Sequence, residues 1–273
     1  MSIFEYQFFQ NALIGSLFAC IACGIIGVYV VTRRLVFISG GITHASFGGV
    51  GLGMYLGINP ALTAFVFAAA SALGVELMGR KEIREDSAIA LFWILGMSIG
   101  VIFCFLTPGY NSEMSTYLFG NILTVTTTDI IVLAAIGIAS VLFTAIMYRA
   151  IVAVAFDKEF ARSRRLPVEA IETVMMIFIA LTIVACLRMI GVILVISMLT
   201  VPQMTAMLFT ADYKKITALS ITFGYMASVC GLLLSFALDI PGGAAIIVCS
   251  IGLYTLCASA RYICNTIKST KRS

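Results

Sequence analysis

The chain has 273 residues, of which 61% are hydrophobic and 11% charged, with a net charge of +4 and a mean hydropathy of +1.09. A water-soluble fold of this composition would lack the polar surface to cover itself, so the numbers exclude a soluble domain and indicate a polytopic membrane protein. The basic excess is no nucleic-acid footprint, because the Lys and Arg residues are confined to a few short segments between apolar runs.

Those runs predict about nine (8–9) membrane helices, at 10–31, 37–56, 59–79, 87–107, 128–148, 170–187, 190–209, 216–238 and 243–260. Each is long enough to cross a hydrocarbon core of about 30 Å as a helix. Barrel-type alternation is absent. The expected fold is therefore all-α, a single transmembrane domain over 1–273, with no stretch left for a soluble domain. Met1–Gln10 carries Glu5 and no Lys or Arg, so it lacks the basic start of a cleavable signal, and the first run reads as a retained span.

Arg33 and Arg34 follow the first run. The second holds His44, the only histidine, beside Thr43 and Ser46 and among Gly40, Gly41, Gly48, Gly49, Gly51 and Gly53. His44 lies seven residues beyond Phe37, roughly 10 Å into its helix. An ionisable group at that depth is either a hydrogen-bonding link between helices or part of a transport path, and the hydroxyls and glycines around it favour the path. The same glycines make this the one run where a partly re-entrant segment competes with a full span.

Glu76 ends the third run and reads as a solvated helix end; Asp129, after Thr126, Thr127 and Thr128, reads as a helix N-terminus. Arg188 can snorkel from the end of the sixth run. The other Lys and Arg clusters follow the first, third, fifth, seventh and ninth runs. The positive-inside rule then places the N-terminus outside and the C-terminus in the cytoplasm. On the inner side, Phe156 and Phe160 share a face within a predicted amphipathic helix over about 155–168, stopped by Pro167.

Seven of the eight cysteines fall inside apolar runs and read as packing residues; the C-x-x-C of Cys20 and Cys23 has no second pair to complete a metal site. No G-x-x-x-x-G-K-[ST] loop is present, so ATP chemistry has to come from another chain. The chain reads as a conduit, not an enzyme.

Several motifs, in order, resemble the permease subunits of bacterial metal-ion ABC importers of the zinc, manganese and iron class, the ABC-3 family. Arg33-Arg34 with Gly41-Ile42-Thr43-His44-Ala45-Ser46 is similar to that family's "RR…GD-x-x-x-HAS", Glu85–Ile89 to its "ED-x-AIG", and Tyr117–Thr126 to its "YLFGDLLAVT". Gly191 to Pro202 resembles its "VGALLV…P", and Asp239–Gly243 its "P-x-G" turn. The resemblance implies a larger, type II importer bundle in the bacterial inner membrane. It implies a homodimer, cytoplasmic ABC ATPase subunits, a periplasmic or lipid-anchored metal-binding protein and surrounding lipid as partners. No permanent cofactor is implied, only a transported divalent metal, with ATP used by the partner.

The resemblance also places Thr43, His44, Ser46 and Asn121 on the metal path. Phe156, Asp157, Glu159 and Ala161 fall on the "D-x-E-x-A" coupling helix that seats in the ATPase. Three positions depart from the pattern: Gly40 and Asn121 stand where many members have Asp, and Arg165 where glycine is usual. The expected function is ATP-driven import of a divalent transition metal, zinc ahead of manganese and iron because His is the strong ligand left. A metal-chelate permease and a secondary cation carrier are the alternatives.

Overall fold

The computed structural model describes residues 6–81, 83–107, 122 and 125–270, apart from the side chains at 188 and 267–270. In chain order its helices are α1 (Gln7–Thr32), α2 (Val36–Leu56), α3 (Pro60–Arg80), α4 (Glu85–Leu106), α5 (Thr127–Ile146) and α6 (Tyr148–Phe156). They continue with α7 (Lys158–Ser163), α8 (Val168–Ile190), α9 (Val192–Met198), α10 (Val201–Met207), α11 (Tyr213–Leu238) and α12 (Gly242–Thr270). Among the described residues there is no strand.

Ala22 through Val30 of α1 are all buried. A helix with no polar stripe needs neighbours on every side, and α1 has them: α5 and α11 flank it and α8 closes the core. The second centre is α2, enclosed by α3, α4, α8 and α9. Here the backbones nearly touch. A Cβ added at Gly48 would lie 2.8 Å from the Gly96 carbonyl oxygen, and one at Gly51 would lie 2.6 Å from that of Gly100. Gly96 and Gly100 form a G-x-x-x-G on α4, the spacing that lets membrane helices pack on van der Waals contact alone.

Among the described residues, seven helices are long and apolar enough to cross a membrane: α1, α3, α4, α5, α8 over Val168–Leu187, α11, and α12 over Gly242–Thr266. The other two predicted spans turn out differently. The second is the uninterrupted helix α2, with 21 residues, about 31 Å at 1.5 Å per residue. Its glycines, hydroxyls and histidine lower its hydropathy, which its enclosure by other helices permits. The seventh is broken. α8 runs to Ile190, Gly191 turns the chain at φ 77° and ψ 167°, a region essentially confined to glycine, and α9 and α10 follow as two seven-residue helices.

The break between them has a local cause. Pro202 has no N–H to give the Met198 carbonyl one turn earlier. The buried Gln203 supplies the missing donor, its Nε2 reaching Met198 O at 3.1 Å and Cys23 O of α1 at 2.8 Å. The helix interruption is thus stitched to the central helix.

Two helix starts carry side-chain caps, and the one at Asp129 follows the sequence reading. Asn59 Oδ1 accepts from Ala61 N at the start of α3, and Thr126 with Asp129 forms a capping box on α5. Others differ. Glu76 is no solvated end: its side chain is 8% exposed, paired with Arg80 and accepting from Thr173 Oγ1 at 2.7 Å. The inner helix predicted over 155–168 is two pieces, because the chain extends at Asp157 (φ −149°) and α7 covers only Lys158–Ser163.

Pro167 is also not what stops α7. The stop is a Schellman turn, with Leu166 N on Ala161 O at 3.1 Å, Arg165 N on Arg162 O at 2.9 Å, and Arg165 at φ 56°. This is a position where glycine fits without strain. All eight cysteines are free thiols. Cys23 and Cys186 lie 3.8 Å apart in the core, joining α1 to α8, in the packing role expected of them.

Candidate functional site

His44 and Trp93 are the centre of the candidate site. The α2–α4 glycine contact brings Trp93 over the imidazole, with centroids 4.4 Å apart and planes 7° from parallel. His44 is half-buried, and its Nδ1 is buried without a hydrogen-bond partner. A histidine serving as glue between helices would spend its ring nitrogens on a neighbour. This one is oriented by stacking and keeps its nitrogen uncommitted.

Gly40 lies one turn before His44 on the same face of α2. A Cβ there would meet only Ile196 Cδ1 at 3.7 Å and Trp93 Cζ3 at 3.9 Å, ordinary contacts, so the position accepts a Cβ without a clash. Thr43 and Ser46 are placed otherwise. Both are fully buried, and their hydroxyls donate within α2, Thr43 Oγ1 to Ser39 O and Ser46 Oγ to Thr43 O at 2.6 Å. The structure does not bring them to the open side of His44. Asn121 lies outside the described residues.

A cavity of about 300 Å³ continues from Trp93 along Ala90, Ile89 and Phe37 to Asp86. Phe37 and Asp86 each stand two helical turns before His44 and Trp93, so the cavity runs from the stacked rings toward the end of the bundle where Arg33 and Arg84 lie. Among the described residues no group of three His, Cys, Asp or Glu side chains is placed to hold a metal. His44 is a single donor, and any cation there keeps ligands from water or from another chain. Sequence reasoning missed Trp93, although it is the only tryptophan of the chain.

A second candidate surface surrounds α7. Phe156 and Phe160 are 62% and 50% exposed, an apolar pair at the surface, while Ala161 is fully buried against the bundle. Asp157 Oδ1 caps α7 by accepting from Phe160 N at 2.9 Å, and Glu159 pairs with Arg162 at 2.9 Å. Behind them, Glu172 of α8 receives Lys158 Nζ at 2.6 Å and Arg33 Nη2 of α1 at 2.7 Å, its side chain only 14% exposed. One carboxylate therefore ties the α7 segment to two membrane helices. It lines a small charged cavity of about 210 Å³ with Glu76 and Arg80 of α3.

Comparison with known proteins adds four findings. A profile of the ABC 3 transport family matches residues 5–261. A "probable metal transport system membrane protein" of Chlamydia trachomatis is 34% identical, covering 93% of this chain and 89% of that one. The manganese transport system membrane protein MntC of Halalkalibacterium halodurans is 28% identical over 93% of this chain and 87% of its own. Among solved structures, PsaBC from Streptococcus pneumoniae, in complex with a Fab, superposes with a TM-score of 0.83 at 28% identity, covering 93% of this chain and 91% of that one.

Proposed function

The chain belongs to the ABC 3 transport family, and from that premise we propose that it is the permease subunit of an ATP-driven importer of a divalent transition metal. It works as a homodimer, with the N-terminus outside and the C-terminus in the cytoplasm. ATP is hydrolysed by a partner subunit, and a metal-binding protein delivers the ion from outside. A relative named for metal transport and another named for manganese transport support the metal class.

The single observation that carries this reading is the uncommitted Nδ1 of His44, held in place by Trp93. Neutral imidazole is a borderline donor suited to zinc and also accepting manganese and iron. One imidazole per protomer binds weakly, and a conduit gains from this, because an ion held tightly would not leave. From His44 the ion passes along the Phe37–Ile89–Trp93 cavity toward the carboxylate of Asp86. Thr43 and Ser46 support the path by holding α2 regular, and the family motif adds Asn121 to it.

The drive enters at α7. Phe156 and Phe160 seat against the ATPase, Asp157 and Glu159 fix the helix and its charge, and Ala161 packs it on the bundle. Movement of α7 reaches α8 and α1 through Lys158, Glu172 and Arg33 as a rigid-body displacement.

The test is uptake of zinc, manganese and iron into proteoliposomes containing the complete complex, with the natural chain and with His44→Ala. Loss of uptake in His44→Ala with the complex assembled is the expected result. Normal uptake for every metal would sink the ligand role, and an order of preference among the three metals identifies the cargo.

A further inference from the structure

A cavity of about 810 Å³ lies on other helices than the stacked rings. It is a cleft between the last turns of α5 and the first turns of α11, floored by Ile25 of α1 and closed at its end by α6. Its volume lies within the range of about 300–1,000 Å³ common to small-molecule sites. Two kinds of lining meet in it. Toward the membrane interior it is apolar, and Ala145 and Ala218, both exposed, leave it open to the lipid-facing surface. At the span ends it carries Arg149 and Lys214.

Neither cation has a carboxylate partner among the described residues. Lys214 Nζ lies 4.7 Å from the centroid of the Tyr148 ring, and Tyr148 stands edge-on to Tyr213 at 6.1 Å. The nearby carboxylate, Asp212, is turned onto the backbone, accepting from Lys214 N at 2.9 Å and Lys215 N at 3.2 Å. Within the cleft Thr144 Oγ1 is buried without a hydrogen-bond partner. The rim therefore combines two positive charges that lack a carboxylate partner among the described residues with two tyrosines at the depth where a bilayer places its phosphates and its aromatic belt.

We propose that this cleft is a binding site for an anionic phospholipid, with an acyl chain along Ile25, Ala145 and Ala218 and the phosphate between Arg149 and Lys214. Basic pockets between membrane helices recognise anionic headgroups in this way. Charge selects this occupant over a second copy of the chain: an apolar protein face would leave Arg149 and Lys214 buried and unpaired. His44, enclosed by α2, α4 and α9, is on other helices, so the site is separate from the metal path.

The experiment uses the complete complex in nanodiscs of phosphatidylglycerol and phosphatidylcholine in equal parts, released into native mass spectrometry. The natural chain retains phosphatidylglycerol in preference to phosphatidylcholine. The double variant Arg149→Gln/Lys214→Gln, on the surface and away from the core, loses about thirty-fold of that preference, the factor two interfacial cations contribute. Ala218→Phe, which fills the cleft and keeps both charges, loses retention of both lipids. Equal retention of the two lipids by the natural chain overturns the proposal, as does a preference unchanged in the double variant. A double variant that turns monomeric with its lipid content unchanged overturns it as well, since protein and not lipid then covers the cleft.

Discussion

The imidazole of His44 lies face to face with the indole of Trp93, the two rings 4.4 Å apart and 7° from parallel. The stack fixes the ring plane while leaving Nδ1 without a hydrogen bond, so on the proposed path Trp93 is a positioning residue for the donor. Trp93→Ala should lower metal uptake about tenfold, the loss of roughly 1.4 kcal/mol of orientation, with assembly of the complex intact. Trp93→Phe, which keeps a ring, should fall between. Equal uptake by all three chains removes the positioning role.

Gly40 leaves open the position one turn before His44, with only Ile196 and Trp93 in ordinary contact range. Gly40→Asp places a carboxylate at i, i+4 to the histidine, completing a two-donor face. Metal retained by the purified complex should rise at least tenfold, and uptake per ATP should slow because release becomes limiting. Calorimetry and proteoliposome uptake on the same preparation read both effects; unchanged retention means that Gly40 does not face the path.

Glu172 takes both Arg33 and Lys158 within 2.7 Å at 14% side-chain exposure. Replacing one partner of a largely buried ion pair leaves the others uncompensated and costs about 3 kcal/mol. Glu172→Gln should lower the melting temperature in detergent, and should leave ATP hydrolysis running in the complex while uptake falls. Tight coupling of hydrolysis to uptake in this variant contradicts the route through Glu172.

The α7 segment separates cap from charge. Asp157→Ala loses the bond to Phe160 N, worth about 1 kcal/mol, and should uncouple transport from hydrolysis. Asp157→Asn still caps, so restored coupling assigns the role to the cap, and persistent uncoupling assigns it to the charge. Arg165→Gly relieves a left-handed residue at φ 56° and should steady α7 by about 1 kcal/mol, read as slower amide exchange there.

Gln203 replaces the donor that Pro202 lacks, reaching Met198 O and Cys23 O from a fully buried position. Gln203→Leu strands the Met198 carbonyl in the core and should cost about 2 kcal/mol, seen as a lower melting temperature and a looser α9–α10 junction in amide exchange. Pro202→Ala in the same background should recover part of the loss, since the backbone N–H then serves that carbonyl.

The composition of this chain determined its class, because apolar runs of membrane length have no other stable form, and its ordered motifs determined its family. His44 was legible too, since an ionisable residue inside such a run stands out by type alone. Local chemistry fixed the Asp129 cap, whose partners are three residues apart. What the sequence could not decide rests on partners distant in the chain. The Trp93 stack depends on α2 and α4 touching at Gly48, Gly51, Gly96 and Gly100, and the burial of Glu76 on α8 bringing Thr173. The α9–α10 break needs Gln203 to bridge to α1. Hydropathy records what a segment can cross, but the direction in which a side chain points, and what meets it there, is set by packing between helices. That is why Thr43 and Ser46, adjacent to His44 in sequence, end inside their own helix, while a tryptophan two helices away shapes the site.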